Sequence, residues 1–254
     1  MKKAIVSVFL LLTINLGSLA WGPTGHRVTG WIADKYLSKK ARTALEKILK
    51  GQSLAMASTW MDEIRSDSIY DHMEDWHWVT IPTGTSYQQT VKNPKGDIIQ
   101  TLQRVIGELK NKKLKEAEQV QRLKILIHLT GDIHQPLHVG TRNDQGGNNI
   151  RVKWFQTKSN LHRIWDSDMI DDSRLSYSEL GQSLSIPSEK EIRAWQNTSV
   201  YEWAGESQAY HEQLYRYGNG MLEYRYAYVN FPVVRLRLLQ AGVRLAGLLN
   251  EIYG

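Results

Sequence analysis

The chain has 254 residues, 41% hydrophobic and 23% charged, with a formal charge of +6. That balance describes a globular protein large enough to bury a core without covalent staples, and the modest positive charge favours a polyanionic partner. With no cysteine, disulfides, thiolate nucleophiles and Cys-based zinc or iron–sulfur centres are excluded, so a metal would have to be held by His, Asp, Glu or backbone groups.

Residues 1–20 read as an export signal. Lys2 and Lys3 give a positive start, Ala4 to Ile14 is an apolar stretch too short to span a bilayer, and Ser18-Leu19-Ala20 is a small-x-small cleavage pattern. Cutting after Ala20 makes Trp21 the new N-terminus. A periplasmic or secreted product follows, with no membrane span left after processing.

Residues 21–254 carry no repeat, linker or low-complexity run and read as one mostly-α, multi-helix domain. Val28, Ile32, Ala33 and Tyr36 recur at helical spacing over 25–37. A second helix covers 40–49 and Gly51 stops it. A third runs from 53 to about 65. Ile98, Leu102, Val105, Ile106 and Leu109 make one apolar stripe. The stretch 120–135 is apolar nearly all round, which predicts a buried central helix that Pro136 ends or kinks. Segments 200–217 and 233–253 predict two more long helices. Strand signal is thin: 76–81, and 149–155 beside Gly146-Gly147, allow at most one short β-hairpin.

The chemistry lies in the histidines: His26, His72, His77, His128, His134, His138, His162 and His211. Two fall into the same local pattern, His128-x-x-x-Asp132 and His162-x-x-x-Asp166. Residues four apart share a helix face, so each pair can aim an imidazole and a carboxylate at one point, as zinc requires. A single such pair is more often an ordinary i,i+4 ion pair. The run from Leu126 to His138 changes that balance, because it sets three His and one Asp in or just after an apolar helix. Buried imidazoles and an ionised Asp need partners that a bare core cannot supply, whereas divalent cations can. The Pro136 bend lets His138 leave the helix line and serve a second ion. His134 faces elsewhere and is expected to be structural, His72 to be on the surface, and His211 to be packed or solvent-facing. The tyrosines between 210 and 228, with Arg216 and Arg225, predict a packing face before a nucleic-acid surface.

Taken in order, these residues resemble a known family. Its markers are Trp21-Gly22, Gly25-His26, Ala57-Ser58, Trp60, Asp62, Trp76-His77, the His128–His138 run, Gly146-Gly147-Asn148, Asn160-Leu161-His162, Trp165-Asp166, and Trp203-Ala204 with Glu206-Ser207. The chain resembles, over nearly all of 21–254, the zinc-dependent single-strand-specific nucleases, which are related in fold to bacterial zinc phospholipases C. The resemblance implies three zinc ions. One would be held by Asp62, His77, His128 and Asp132, and a second by His138, His162 and Asp166. A third would be held by His26, Asp132 and Trp21, the last through its free α-amine and carbonyl oxygen. Asp62 and Asp132 would be catalytic as ligands, and Arg65 would stabilise the phosphorus under attack. Trp78 would stack a base and Asn148 would contact substrate. Thr80 departs from the pattern: many relatives carry Asp or Asn there to read the base. The implied activity is endonucleolytic hydrolysis of single-stranded DNA and RNA to 5′-phosphate ends, with 3′-nucleotidase activity on mononucleotides, by a monomer. Zinc phospholipase C activity is the alternative.

Overall fold

A computed structural model describes residues 21–254; the expected export signal lies outside the described residues. The fold is mostly helical, as the sequence implies. In chain order the helices are α1 (Pro23–Lys35), α2 (Lys39–Ile48), α3 (Leu54–Ala57), α4 (Trp60–Glu63), α5 (Ile98–Asn111), α6 (Glu116–Asp132), α7 (Leu161–Arg163), α8 (Met169–Asp171), α9 (Tyr177–Gln182), α10 (Glu189–Gln196), α11 (Val200–Gln208), α12 (His211–Leu214) and α13 (Tyr224–Tyr253). Short 3₁₀ segments at Ile64–Ser66, Ser68–His77 and Pro136–His138 join them. Among the described residues no helix is long and apolar enough to cross a membrane.

Local chemistry explains where the elements start and stop. Side-chain oxygens cap α2 (Ser38), α3 (Ser53), α5 (Asp97), α9 (Ser176), α10 (Ser188) and α11 (Ser199), each accepting from an orphan amide in the first turn. α9 and α10 escaped the periodicity reading because each is short, yet both announce themselves as Ser-x-x-Glu capping boxes. The helix expected over 53–65 is broken after Ala57. Ser58 turns its hydroxyl back to the Ala55 carbonyl at 2.7 Å, local competition that suits a helix end. The helix expected over 200–217 likewise splits at Ala209-Tyr210. The last helix begins at Tyr224, nine residues earlier than expected, and takes Pro232 inside it. Pro232 and Tyr228, whose carbonyl it leaves without an amide partner, both lie on the exposed face.

The two strand segments do not pair with each other. β1 (Val79–Thr80) runs parallel to β2 (Val139–Gly140), in register Thr80 with Gly140. β3 (Arg151–Trp154) forms a hairpin with β4 (Thr157–Asn160) and also takes the parallel strand β5 (Met221–Leu222), so the described residues carry more strand than the one short hairpin expected.

The apolar core has two lobes. One gathers α5, α6 and the end of α13 around Leu102, Leu126 and Leu249; the other gathers β3, α7 and the first half of α13 around Leu161, Trp165 and Leu238. α6 ends where the lobes meet. Roughly its last three turns, buried on all sides from Leu123 onward except at Lys124, therefore carry His128 and Asp132 to the centre of the molecule.

Candidate active site

Six separate segments bring their polar ends to that point. α1 supplies His26, α4 Asp62, the end of the 3₁₀ segment His77, and α6 His128 and Asp132. After Asp132 the chain cannot stay helical, because Gln135 precedes a proline and takes extended backbone. The 3₁₀ turn that follows delivers His138. α7 delivers His162 and runs into a π-helical turn, Ile164–Asp168, which delivers Asp166. Every one of these side chains except Asp62 is buried, and Asp62 is nearly so.

Two donor clusters result. In the first, Asp132 Oδ2 lies 2.9 Å from His77 Nδ1 and 3.2 Å from His128 Nε2, while its Oδ1 lies 3.2 Å from His26 Nε2. Asp62 Oδ1 closes the group at 4.0 Å from His128 Nε2. In the second, Asp166 Oδ2 lies 3.0 Å from His162 Nε2 and its Oδ1 3.7 Å from His138 Nε2. The triads His26/Asp62/His128, His77/His128/Asp132 and His138/His162/Asp166 each hold their donor atoms within 4.8 Å of one another. His128 thus falls in two triads, so the five donors of the first cluster form one crowded set rather than two separable ones.

The donors are aimed as well as gathered. His128 Nδ1 donates to the Ser58 carbonyl (2.7 Å), His138 Nδ1 to the His77 carbonyl (2.6 Å) and His162 Nδ1 to the Gly146 carbonyl (2.7 Å). A proton held on Nδ1 leaves the Nε2 lone pair facing the cluster, the arrangement of metal-ligating histidines. Two glycines make room. A Cβ on Gly131 would sit 3.0 Å from His26 Nδ1, and one on Gly146 (φ +59°) would sit 2.3 Å from the Leu137 carbonyl and 3.3 Å from His162 Nδ1.

Whether these residues fit a cation can be judged from what they leave unsatisfied. Seven buried atoms here have no hydrogen-bond partner: both nitrogens of His26, both oxygens of Asp62, Asp132 Oδ1, His138 Nε2 and His162 Nε2. Buried polar atoms are normally paired, and a set of imidazole nitrogens and carboxylate oxygens is the one zinc takes. The electrostatics agree. Burial alone would raise the Asp132 carboxyl, but His128, His138 and His26 outweigh it and hold it well below the usual carboxylate range. Burial pushes His26 and His77 down. Against the same burial, neighbouring carboxylates raise His128 and push His138 up to about 9. A metal binding here would displace the protons that the raised imidazoles carry.

The remaining sequence-predicted residues sit around this centre. Trp21 is fully buried, its Nε1 donating to the Gly131 carbonyl at 2.8 Å. Arg65 Nη1 lies 3.7 Å from Asp62 Oδ1. Trp78 is 44% exposed, not packed in the core, and Thr80 is exposed beside it on β1. Asn148 lies one residue past the glycine pair, with Nδ2 donating to the Gln145 carbonyl. His211 is packed against the Pro136 carbonyl and Thr141. The tyrosine series divides: Tyr226 is buried against Trp165, whereas Tyr224 and Tyr228 face solvent.

Sequence reasoning missed Gln135, whose Nε2 reaches Asp166 Oδ1 at 2.5 Å, and a buried pair of arginines, Arg237 and Arg244, on α13. His134 is structural as expected, with Nδ1 donating to the Thr130 carbonyl and Nε2 accepting from Arg244 at 2.9 Å. Burial, then Arg237 and Arg244, push it well below its ordinary 6.5. The folded chain therefore keeps His134 neutral at pH values where the unfolded chain protonates it. Its contribution is complete above about 6.5 and is lost as pH falls from there toward the folded value. In chelator, His134→Gln is expected to flatten the decline of melting temperature below about pH 6.5; an unaltered acid limb would show that His134 is not its source.

Comparison with known proteins gives a consistent picture. A family model described as S1/P1 Nuclease matches residues 21–254. Endonuclease 5 and Endonuclease 3 of Arabidopsis thaliana are 31% and 30% identical, each over 100% of this chain and 97% and 96% of their own lengths. Nuclease P1 of Penicillium citrinum is 24% identical over 92% of this chain and 98% of its own length.

Proposed function

The chain belongs to the S1/P1 nuclease family, and on that premise we propose that it is an exported zinc-dependent endonuclease cutting single-stranded DNA and RNA to 5′-phosphate products, with 3′-nucleotidase activity on mononucleotides. The observation that carries the metal dependence is the convergence of buried imidazole and carboxylate atoms that face one another without a hydrogen bond in the protein. In this reading Asp62, His77, His128 and Asp132 hold one ion. His138, His162 and Asp166 hold a second, and Trp21, His26 and Asp132 a third. Export with cleavage after Ala20 provides the Trp21 amine.

Zinc, when bound, supplies a coordinated water of lowered pKa and a Lewis acid for the phosphoryl oxygens. The protein's own groups orient the rest. Asp62 is a ligand whose second oxygen aligns the attacking water and accepts its proton. Arg65, reaching from the next turn, donates to the phosphoryl oxygens as negative charge builds there. Trp78 stacks an unpaired base, worth about 1–3 kcal/mol, whereas a duplex must first unstack and unpair. Asn148, with one Nδ2 hydrogen on the Gln145 carbonyl, offers its second N–H to a substrate phosphate. Thr80 has neither amide nor carboxylate, so base preference is relaxed. The same donor set could serve a lipid phosphodiester, but the open tryptophan after His77 and the named nuclease relatives favour nucleic acid.

The expected result is cleavage of single-stranded DNA, abolished by EDTA and restored by zinc, with duplex cut far more slowly. Hydrolysis of phosphatidylcholine in its place would overturn the reading. Trp78→Ala should raise KM for single-stranded DNA about 5–150-fold, the stacking energy expressed as affinity. An unchanged KM would remove Trp78 from the substrate path.

A further inference from the structure

Between Asp132 of the first cluster and His138 of the second lie five residues, 133–137, of which only Pro136 and Leu137 fall in a 3₁₀ turn. Their carbonyls include the orphan acceptors at the C-terminus of α6, and all five residues are buried. A buried carbonyl needs a donor; Gln135 takes the nearby His138 amide, but for Ile133, His134 and Pro136 side-chain donors come from elements some 70 to 100 residues further on. Ser207 Oγ donates to the Ile133 carbonyl at 2.6 Å, Arg237 Nε to the His134 carbonyl at 3.2 Å, and His211 Nε2 to the Pro136 carbonyl at 2.8 Å.

Arg237 is the hub of this contact. It is fully buried and uses every nitrogen: Nε on His134, Nη2 on the Trp203 carbonyl and on Ser207 Oγ, Nη1 on Glu206 and Gln240. Glu206 also pairs with both terminal nitrogens of Arg244 at 2.6 and 2.7 Å. Two buried guanidiniums thus share one carboxylate. Such an arrangement is a poor way to gain stability, since apolar packing does as well or better. What it supplies is direction: the excess positive charge faces the carbonyl end of α6. On its inner side the connector reaches the second cluster as well, because Gln135 donates to Asp166 while its Oε1 accepts the Leu137 amide at 2.5 Å.

We propose that Arg237, backed by Glu206 and Ser207, is a positioning residue that fixes the shape of the 133–137 connector and thereby the spacing of the two donor clusters. It touches neither substrate nor metal. This inference rests on the metal reading above and adds to it a dependence of zinc binding on a residue far from any donor atom.

The test is zinc affinity, measured by competition with a chromophoric chelator, on the full processed chain and on Arg237→Lys, Ser207→Ala and Leu249→Ala. Leu249 is a buried core residue on the same helix, and its truncation provides a loss of stability unrelated to the connector. Arg237→Lys keeps the charge and loses the fork. It is expected to weaken the most loosely held zinc by about 10–100-fold, the range for residues that orient ligands, and to lower kcat in parallel with KM unchanged. Ser207→Ala is expected to shift zinc affinity in the same direction, and Leu249→Ala to lower the melting temperature with native affinity. Native zinc affinity in both Arg237→Lys and Ser207→Ala, whatever their melting temperatures, would overturn the inference. If Arg237→Lys does not fold, Ser207→Ala decides alone. An unaltered chain that binds no zinc would instead overturn the nuclease reading, and this inference with it.

Discussion

Replacing Asp132 by alanine is expected to remove two of three zinc ions and to lower hydrolysis of single-stranded DNA by on the order of 10³-fold, the scale seen when one electrostatic group is lost from a transition state. The geometry argues for so large an effect from one side chain. Asp132 turns one oxygen to His26 and the other to His77 and His128, so a single carboxylate would serve both ions proposed for the first cluster. Without it, three imidazoles and Asp62 remain around a cavity with no anion at its centre. The second cluster takes its carboxylate from Asp166 and should keep its ion. Metal analysis would therefore fall from about three zinc per chain to about one. The fold should persist, because the apolar lobes do not pass through Asp132. A variant that retains full zinc content, or that cleaves at the native rate, would remove Asp132 from the bridging role.

Leaving the first twenty residues attached is expected to have the next largest effect. Trp21 is held in place by burial of its ring and by its bond to Gly131, one residue before Asp132 on α6 and beside the ring of His26. In the unprocessed chain its nitrogen belongs to a peptide bond, whose lone pair is delocalised and poor at ligation. After cleavage it becomes an amine of pKa about 7.7–8.0, able to bind a metal once deprotonated. A chain beginning at Trp21 should carry about one zinc more than the unprocessed chain and be at least about tenfold more active, within the range that metal-site disruption produces. Equal zinc content and equal rates would show that export and activation are unconnected.

The fold class and part of the donor set were legible in the sequence for the same reason: both rest on short-range periodicity. His128 with Asp132 and His162 with Asp166 are four residues apart, and the helical pitch alone puts each pair on one side. His26, Asp62 and His77 carry no such mark, and only their resemblance to the family's ordered markers linked them to α6. What stayed hidden is of two kinds. The break at Ser58 depends on a single side chain turning back onto the backbone, which apolar patterning does not register. The contacts of Arg237 and Gln135 join segments far apart in the chain, and a buried arginine reads in a sequence like any surface one until its partners are in view. The left-out helices α9 and α10 were announced by their caps, Ser176 with Glu179 and Ser188 with Glu191, which a search for stripes passes over.

One residue has a foot in each half of the centre. The ring of His77 belongs to the first cluster, while its carbonyl holds the His138 ring of the second at 2.6 Å. Besides the 133–137 connector, the two halves are therefore welded at this link of main chain, and neither can be retuned by moving it without disturbing the other. Trp78, the next residue, hangs from the same weld, so a base stacked on its ring, as proposed, would push on both halves together. Tolerance for insertions or deletions should vanish around position 77, even though its neighbour lies open to water.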